Sequence, residues 1–143
     1  MTRSATSVLA ALVLTGLGLA ACSGSAVPLT SRPTDLPGAR DLARAVAGAG
    51  RCEDLEDLGQ GVGYWAFTCQ VGEQSFDITA VDGQQARSER TAALSGSGAP
   101  VKAGDWFLVQ EAEDFGRSKF GPPRPTPVSD LDRFPGTVVR PAG

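Results

Sequence analysis

The clearest pattern in the chain is an alternation. Gly63–Val71 places Trp65, Phe67, Cys69 and Val71 on one side and Tyr64, Ala66, Thr68 and Gln70 on the other, the period-2 signature of a strand with one buried face. Val71-Gly72-Glu73-Gln74 follows as a tight turn in which Gly72 supplies a positive φ. Gln74–Val81 resumes the alternation with Phe76, Ile78 and Ala80 inward. These two segments predict a hairpin. Upstream, Gly38–Ala49 carries Ala39, Leu42, Ala43, Val46 and Ala47 at helical spacing, closed by Gly48 and Gly50.

Downstream, Asp82 reads as an N-cap with Gln85 as its capping-box partner, opening a helix to about Leu94 before Ser95-Gly96-Ser97-Gly98. Its apolar face is thin: Ala86, Ala93 and Leu94. Pro100–Gln110 holds a final strand, Trp106-Phe107-Leu108-Val109, apolar on both faces and therefore expected in the middle of its sheet. Arg51–Leu58 fits either a helical turn or an irregular strand, because Cys52, Leu55 and Leu58 stand three apart. The order α-(β)-β-β-α-β predicts an α+β domain over residues 38–115, a small antiparallel sheet with two helices packed on it.

The ends differ from this core. Arg3 is the only charge before Arg32, and Val8–Leu19 is an apolar run shorter than the roughly 20 residues that span a bilayer. A short basic n-region followed by such an h-region marks residues 1–21 as a signal peptide. Leu19-Ala20-Ala21-Cys22 closes it. This run resembles the lipobox of bacterial lipoproteins. The resemblance implies a diacylglyceryl group on the Cys22 thiol, cleavage after Ala21 and, with palmitate-type chains, a stable lipid anchor on the extracytoplasmic face of the cell membrane. Residues 22–37, rich in Ser, Thr and Pro, read as a flexible tether. Residues 116–143 contain Pro122, Pro123, Pro125, Pro127, Pro135 and Pro141 and read as a disordered, extended tail. Its alternative use is a docking peptide around Pro122–Pro127, with Phe120 and Phe134 as sticky points.

A core this small generally needs a staple. With Cys22 lipidated, Cys52 and Cys69 are the remaining thiols, and an extracytoplasmic compartment permits their bridge. Neither a CxxC redox pair nor a zinc site has the required spacing or ligands. The stretch A-G-A-G-R-C (47–52), the second Cys ending a strand, the Gly72 turn, D-I-T-A-V-D and G-D-W-F-L-V together resemble small secreted or lipid-anchored actinobacterial proteins. That resemblance covers roughly residues 39–110. It implies the Cys52–Cys69 disulfide and the α+β arrangement, and it implies no catalytic residue.

Chemistry enters mainly by exclusion. The chain of 143 residues has no His, which removes His triads, His shuttles and His-ligated zinc. Thirteen Lys+Arg against 16 Asp+Glu leave no basic footprint, so nucleic acid is not an expected partner. Glu53, Asp54, Glu56 and Asp57 could attract Ca²⁺, yet they lack the EF-hand register and read as a solvated acidic face. Asp77 and Asp105 are the pair that could serve a small cell-envelope hydrolase by paired carboxylates. Ser75 and Ser88 have no His partner, and Lys102 and Lys119 lie in or beside loops. Trp65 and Trp106 read as packing, while Tyr64, on the opposite face, is the better surface candidate. With Asp77 it forms the candidate binding pair. The expectation is a non-catalytic binding or accessory module with no metal or cofactor, whose partners are the membrane, through Cys22, and an envelope protein or cell-wall component.

Overall fold

The computed structural model describes residues 27–112 and 128–140. Within them the chain forms α1 (Leu36–Ala49), β1 (Glu53–Gly61), β2 (Tyr64–Val71), β3 (Gln74–Val81), α2 (Gln84–Ser95), β4 (Val101–Ala103), β5 (Phe107–Glu111), α3 (Val128–Leu131) and β6 (Thr137–Val139). All strand pairs are antiparallel, in the order β1-β2-β3-β5-β4-β6. The α+β class, the antiparallel sheet with two main helices and the disulfide all stand as the sequence predicts.

α1 starts two residues earlier than its apolar stripe suggests. The Asp35 side chain caps it by accepting from the Gly38 amide at 2.8 Å, and Pro37 sits in the first turn, where a missing N–H costs nothing. The stripe Ala39, Leu42, Ala43, Val46 and Ala47 is buried. It packs with Phe67, Cys69, Phe76, Ile78, Phe107 and Val109 into one cluster. β2 and β3 pair in register from Tyr64↔Val81 to Val71↔Gln74 around Gly72, whose φ of 60° is the left-handed conformation the turn requires. β5 is central, as its two apolar faces predict: Phe107 and Val109 look toward α1, and Leu108 looks toward α2. The sheet is therefore covered by a different helix on each face.

Arg51–Leu58 resolves as a strand, not a helical turn. Two irregularities interrupt its pairing with β2, between Glu53 and Glu56 and between Asp57 and Gly59, and Asp54 has a φ of 55°. The Cys52–Cys69 disulfide ties the start of this strand to the far end of β2, with the two Cα atoms 5.6 Å apart. Both cysteines are buried.

Three expectations need correction. Asp82 is not the cap of α2. Gly83 takes that position without a side-chain bond; the Asp82 amide donates to the Gly63 carbonyl at 3.0 Å, and Gln85 bonds Glu89 along the helix instead. Residues 128–140 do not belong to an extended tail. β6 pairs with β4, Leu131 and Phe134 are buried in the α1-side core, and the Phe134 ring lies 5.0 Å from that of Phe76. Gly50 makes room for it: a Cβ there would come within 2.4 Å of the Phe134 ring. Two large apolar side chains among the prolines outweigh the composition around them. Last, residues 27–37 are not free tether, because Leu29 packs against the core and Arg32 lies over the Trp106 ring at 5.5 Å. The lipobox with Cys22 and the stretch Pro122–Pro127 with Phe120 lie outside the described residues.

Candidate interaction surface

Tyr64 and Asp77 occupy the same sheet face, the one that carries α2. Tyr64 opens β2, whereas Asp77 stands across from Thr68, four positions further along. At about 3.3 Å per residue, that separates them by roughly 13 Å. Tyr64 is not a free platform. Its ring lies over Gly61, and the Arg90 guanidinium of α2 stacks on it at 4.2 Å, an arrangement that holds a cation against an aromatic face. Arg90 Nε is buried with no hydrogen-bond partner among the described residues.

Asp77 lies in a cross-strand row with Thr68 on β2 and Gln110 on β5. Burial raises its carboxyl above the ordinary value, and a hydrogen bond with Thr68 pulls in the opposite direction. Gln110 is committed elsewhere: its amide donates to Leu94 O, Ser97 Oγ and Ala99 O, pinning the end of α2 to the sheet. Asp105 is exposed in the turn before β5. Asp77 pairs with Gln110 near the other end of that strand, roughly 17 Å from the level of Asp105. Cooperating glycosidase carboxylates stand about 5 to 9.5 Å apart. The fold does not bring this pair together.

Of the remaining candidates, Trp65 and Trp106 are half-buried and packed on the core. Ser75 is half-buried and Ser88 exposed. Lys102 is buried on β4, its ammonium 3.8 Å from Asp132.

The acidic run lies along β1, the edge strand, with Glu53, Asp54, Glu56 and Asp57 all exposed. Asp57 is held by Arg40 of α1, with Nη2 2.6 Å from Oδ2. The bond keeps the Asp57 carboxyl below its ordinary range and raises the Arg40 guanidinium. Beside this ion pair, Leu36, Asp57, Gly59, Gln60, Ala66 and Phe67 line an open depression of about 310 Å³. Leu58 and Val62 stand nearby, 57% and 97% exposed. Single-residue patterning passes over both, since only the strand order reveals that β1 has no neighbour on its outer side among the described residues. This edge, not the Tyr64–Asp77 pair, is where the described surface concentrates exposed apolar groups.

No known protein family, curated protein or solved structure matches this chain.

Proposed function

We propose that this protein is a membrane-anchored extracytoplasmic lipoprotein, attached through diacylglyceryl-Cys22, that acts as a non-catalytic binding or accessory module. The observation that carries the binding half is the set of large apolar side chains exposed around β1 among the described residues: Leu58 on the strand, Val62 in the turn after it and Leu36 at the start of α1. An apolar group left in water at the side of a sheet is a common mark of a recognition surface. The anchoring half rests on the n-region, the short apolar run and Leu19-Ala20-Ala21-Cys22. A buried disulfide fits an oxidising compartment outside the cytoplasmic membrane.

Two measurements test this reading. Metabolic labelling with palmitate should tag the protein, and Cys22→Ser should lose both the label and the membrane fraction; an unlabelled wild type refutes the anchor. Crosslinking on intact cells, with an unrelated lipoprotein as control, should recover a specific envelope partner. Recovery of nothing above that control refutes the accessory role.

A further inference from the structure

Resting on that reading, we infer that the outer edge of β1 receives an extended basic segment of a partner protein, anchored by apolar side chains on Leu36, Leu58 and Val62. Three observations converge on this strip. Leu58, 57% exposed, lies on β1; Val62, 97% exposed, is in the turn that follows it; and Leu36, 36% exposed at the start of α1, lines the depression with Asp57, Gly59 and Gln60. β1 ends the sheet, so one row of its backbone N–H and C=O groups has no strand partner among the described residues. Such a row is a template for an added strand. Asp57 has Arg40, but Glu53, Asp54 and Glu56 have no cation within 4.0 Å among the described residues.

Charge decides the occupant. A second copy pairing edge to edge would set carboxylates against carboxylates, which destabilises a sheet pair. The interruptions at Glu53/Glu56 and Asp57/Gly59 also break the register that two identical edges would need. An anionic lipid surface would meet the same repulsion. A segment alternating Lys or Arg with apolar residues satisfies both halves of the strip: its cations face Glu53, Asp54 and Glu56, and its apolar side chains cover Leu58, Val62 and the depression beside Leu36. The interrupted edge suits a short contact of a few residues and not a full ladder.

The probe is a fluorescent (Lys-Val)₄ peptide, with (Glu-Val)₄ as its counterpart, titrated by anisotropy against the full-length protein in detergent. The Lys peptide should bind and the Glu peptide should not. Leu58→Asp, Val62→Asp and the double Glu53→Lys/Glu56→Lys variant should each weaken binding at least tenfold while melting like the wild type, because all four side chains are exposed. Equal binding of the two peptides, or unchanged affinity in these variants, overturns the assignment. So does sedimentation of the Cys22→Ser protein with phosphatidylglycerol vesicles that Val62→Asp abolishes, which would give the edge to lipid. If intact-cell crosslinking recovers a partner while the peptide ignores β1, the accessory role stands and this edge is excluded.

Discussion

The two faces of the sheet are built on different terms. On one, α1, the disulfide, Leu131 and Phe134 enclose Phe67, Phe76, Ile78, Phe107 and Val109 in a single buried cluster. On the other, α2 covers a cluster whose buried members are Val101, Ala103 and Leu108, with Leu94 and Val139 at its margin. Along α2, Ala86 is the only buried residue. The helix is held instead by polar ties: Gln110 to its end, Arg87 Nε to the Gly104 carbonyl at 2.8 Å and Arg90 on Tyr64. Apolar burial is worth about 25 cal/mol per Å², whereas a hydrogen bond nets about 1 kcal/mol. The α1 face should therefore carry most of the stability, and the α2 face should open first.

The sharpest way to break this contrast is Phe134→Ala. It deletes a buried ring packed at a tilt against Phe76 and releases the hold on residues 128–140, so a loss of about 3–5 kcal/mol is expected in urea unfolding. A loss below about 1 kcal/mol would mean that the C-terminal return is an ornament on a core complete without it. Replacing Cys52 and Cys69 together by Ala should cost about 3 kcal/mol, the chain-entropy value for a loop of this size. A melting temperature unmoved by reductant would contradict that.

On the opposite face the effects should be smaller. Tyr64→Ala loses a half-buried ring and its stack with Arg90, and should cost about 1–2 kcal/mol. Arg90→Ala should show part of the same loss, since the two side chains share one contact. Leu94→Ala, at the margin of the small cluster, should cost about 1 kcal/mol. Amide exchange should be faster along α2 than along α1. Equal protection of the two helices would remove the distinction between the faces.

Legibility in the sequence followed element length. α1 and the β2–β3 hairpin repeat their pattern often enough to identify face and period, and β5 showed its central place through apolar residues on both sides. β4 and β6 are three residues each, too short for any periodicity, and β6 is further hidden by the prolines around Phe134. The Asp82 cap failed because the helix starts one residue later, with Gly83 in the extended cap position. For the candidate surface, the acidic run and the face of Tyr64 could be read directly. Strand order could not, and strand order is what puts Leu58 on an edge, with Val62 in the turn that follows. Arg40 and Arg90 are ordinary surface cations until the fold sets them beside Asp57 and Tyr64.

The smallest expected effect runs the other way in sign. Asp77 sits half-buried on the α2 face, with burial as the main cause of its raised pKa and the Thr68 hydrogen bond as the opposing one. In the unfolded chain the carboxyl titrates near its ordinary 3.8, so just above that value the folded protein binds more protons than the unfolded one. Stability from this group is then full below the unfolded value and declines as pH rises through the folded one. At neutral pH the ionised carboxylate is a standing cost of the α2 face. Thr68 Oγ1 donates to the Phe76 carbonyl at 3.2 Å, and Asp77→Asn keeps the shape but cannot ionise, so it should be slightly more stable than the wild type at pH 7. That advantage should vanish by about pH 3, where Asp77 is protonated in both states. Urea midpoints at the two pH values measure the difference directly, and Phe134→Ala, which changes no charge, should lose about the same amount at both. If Asn destabilises equally at both pH values, Asp77 is needed for a contact that the amide cannot make, and the polar ties of the α2 face are more specific than the small cluster beneath them.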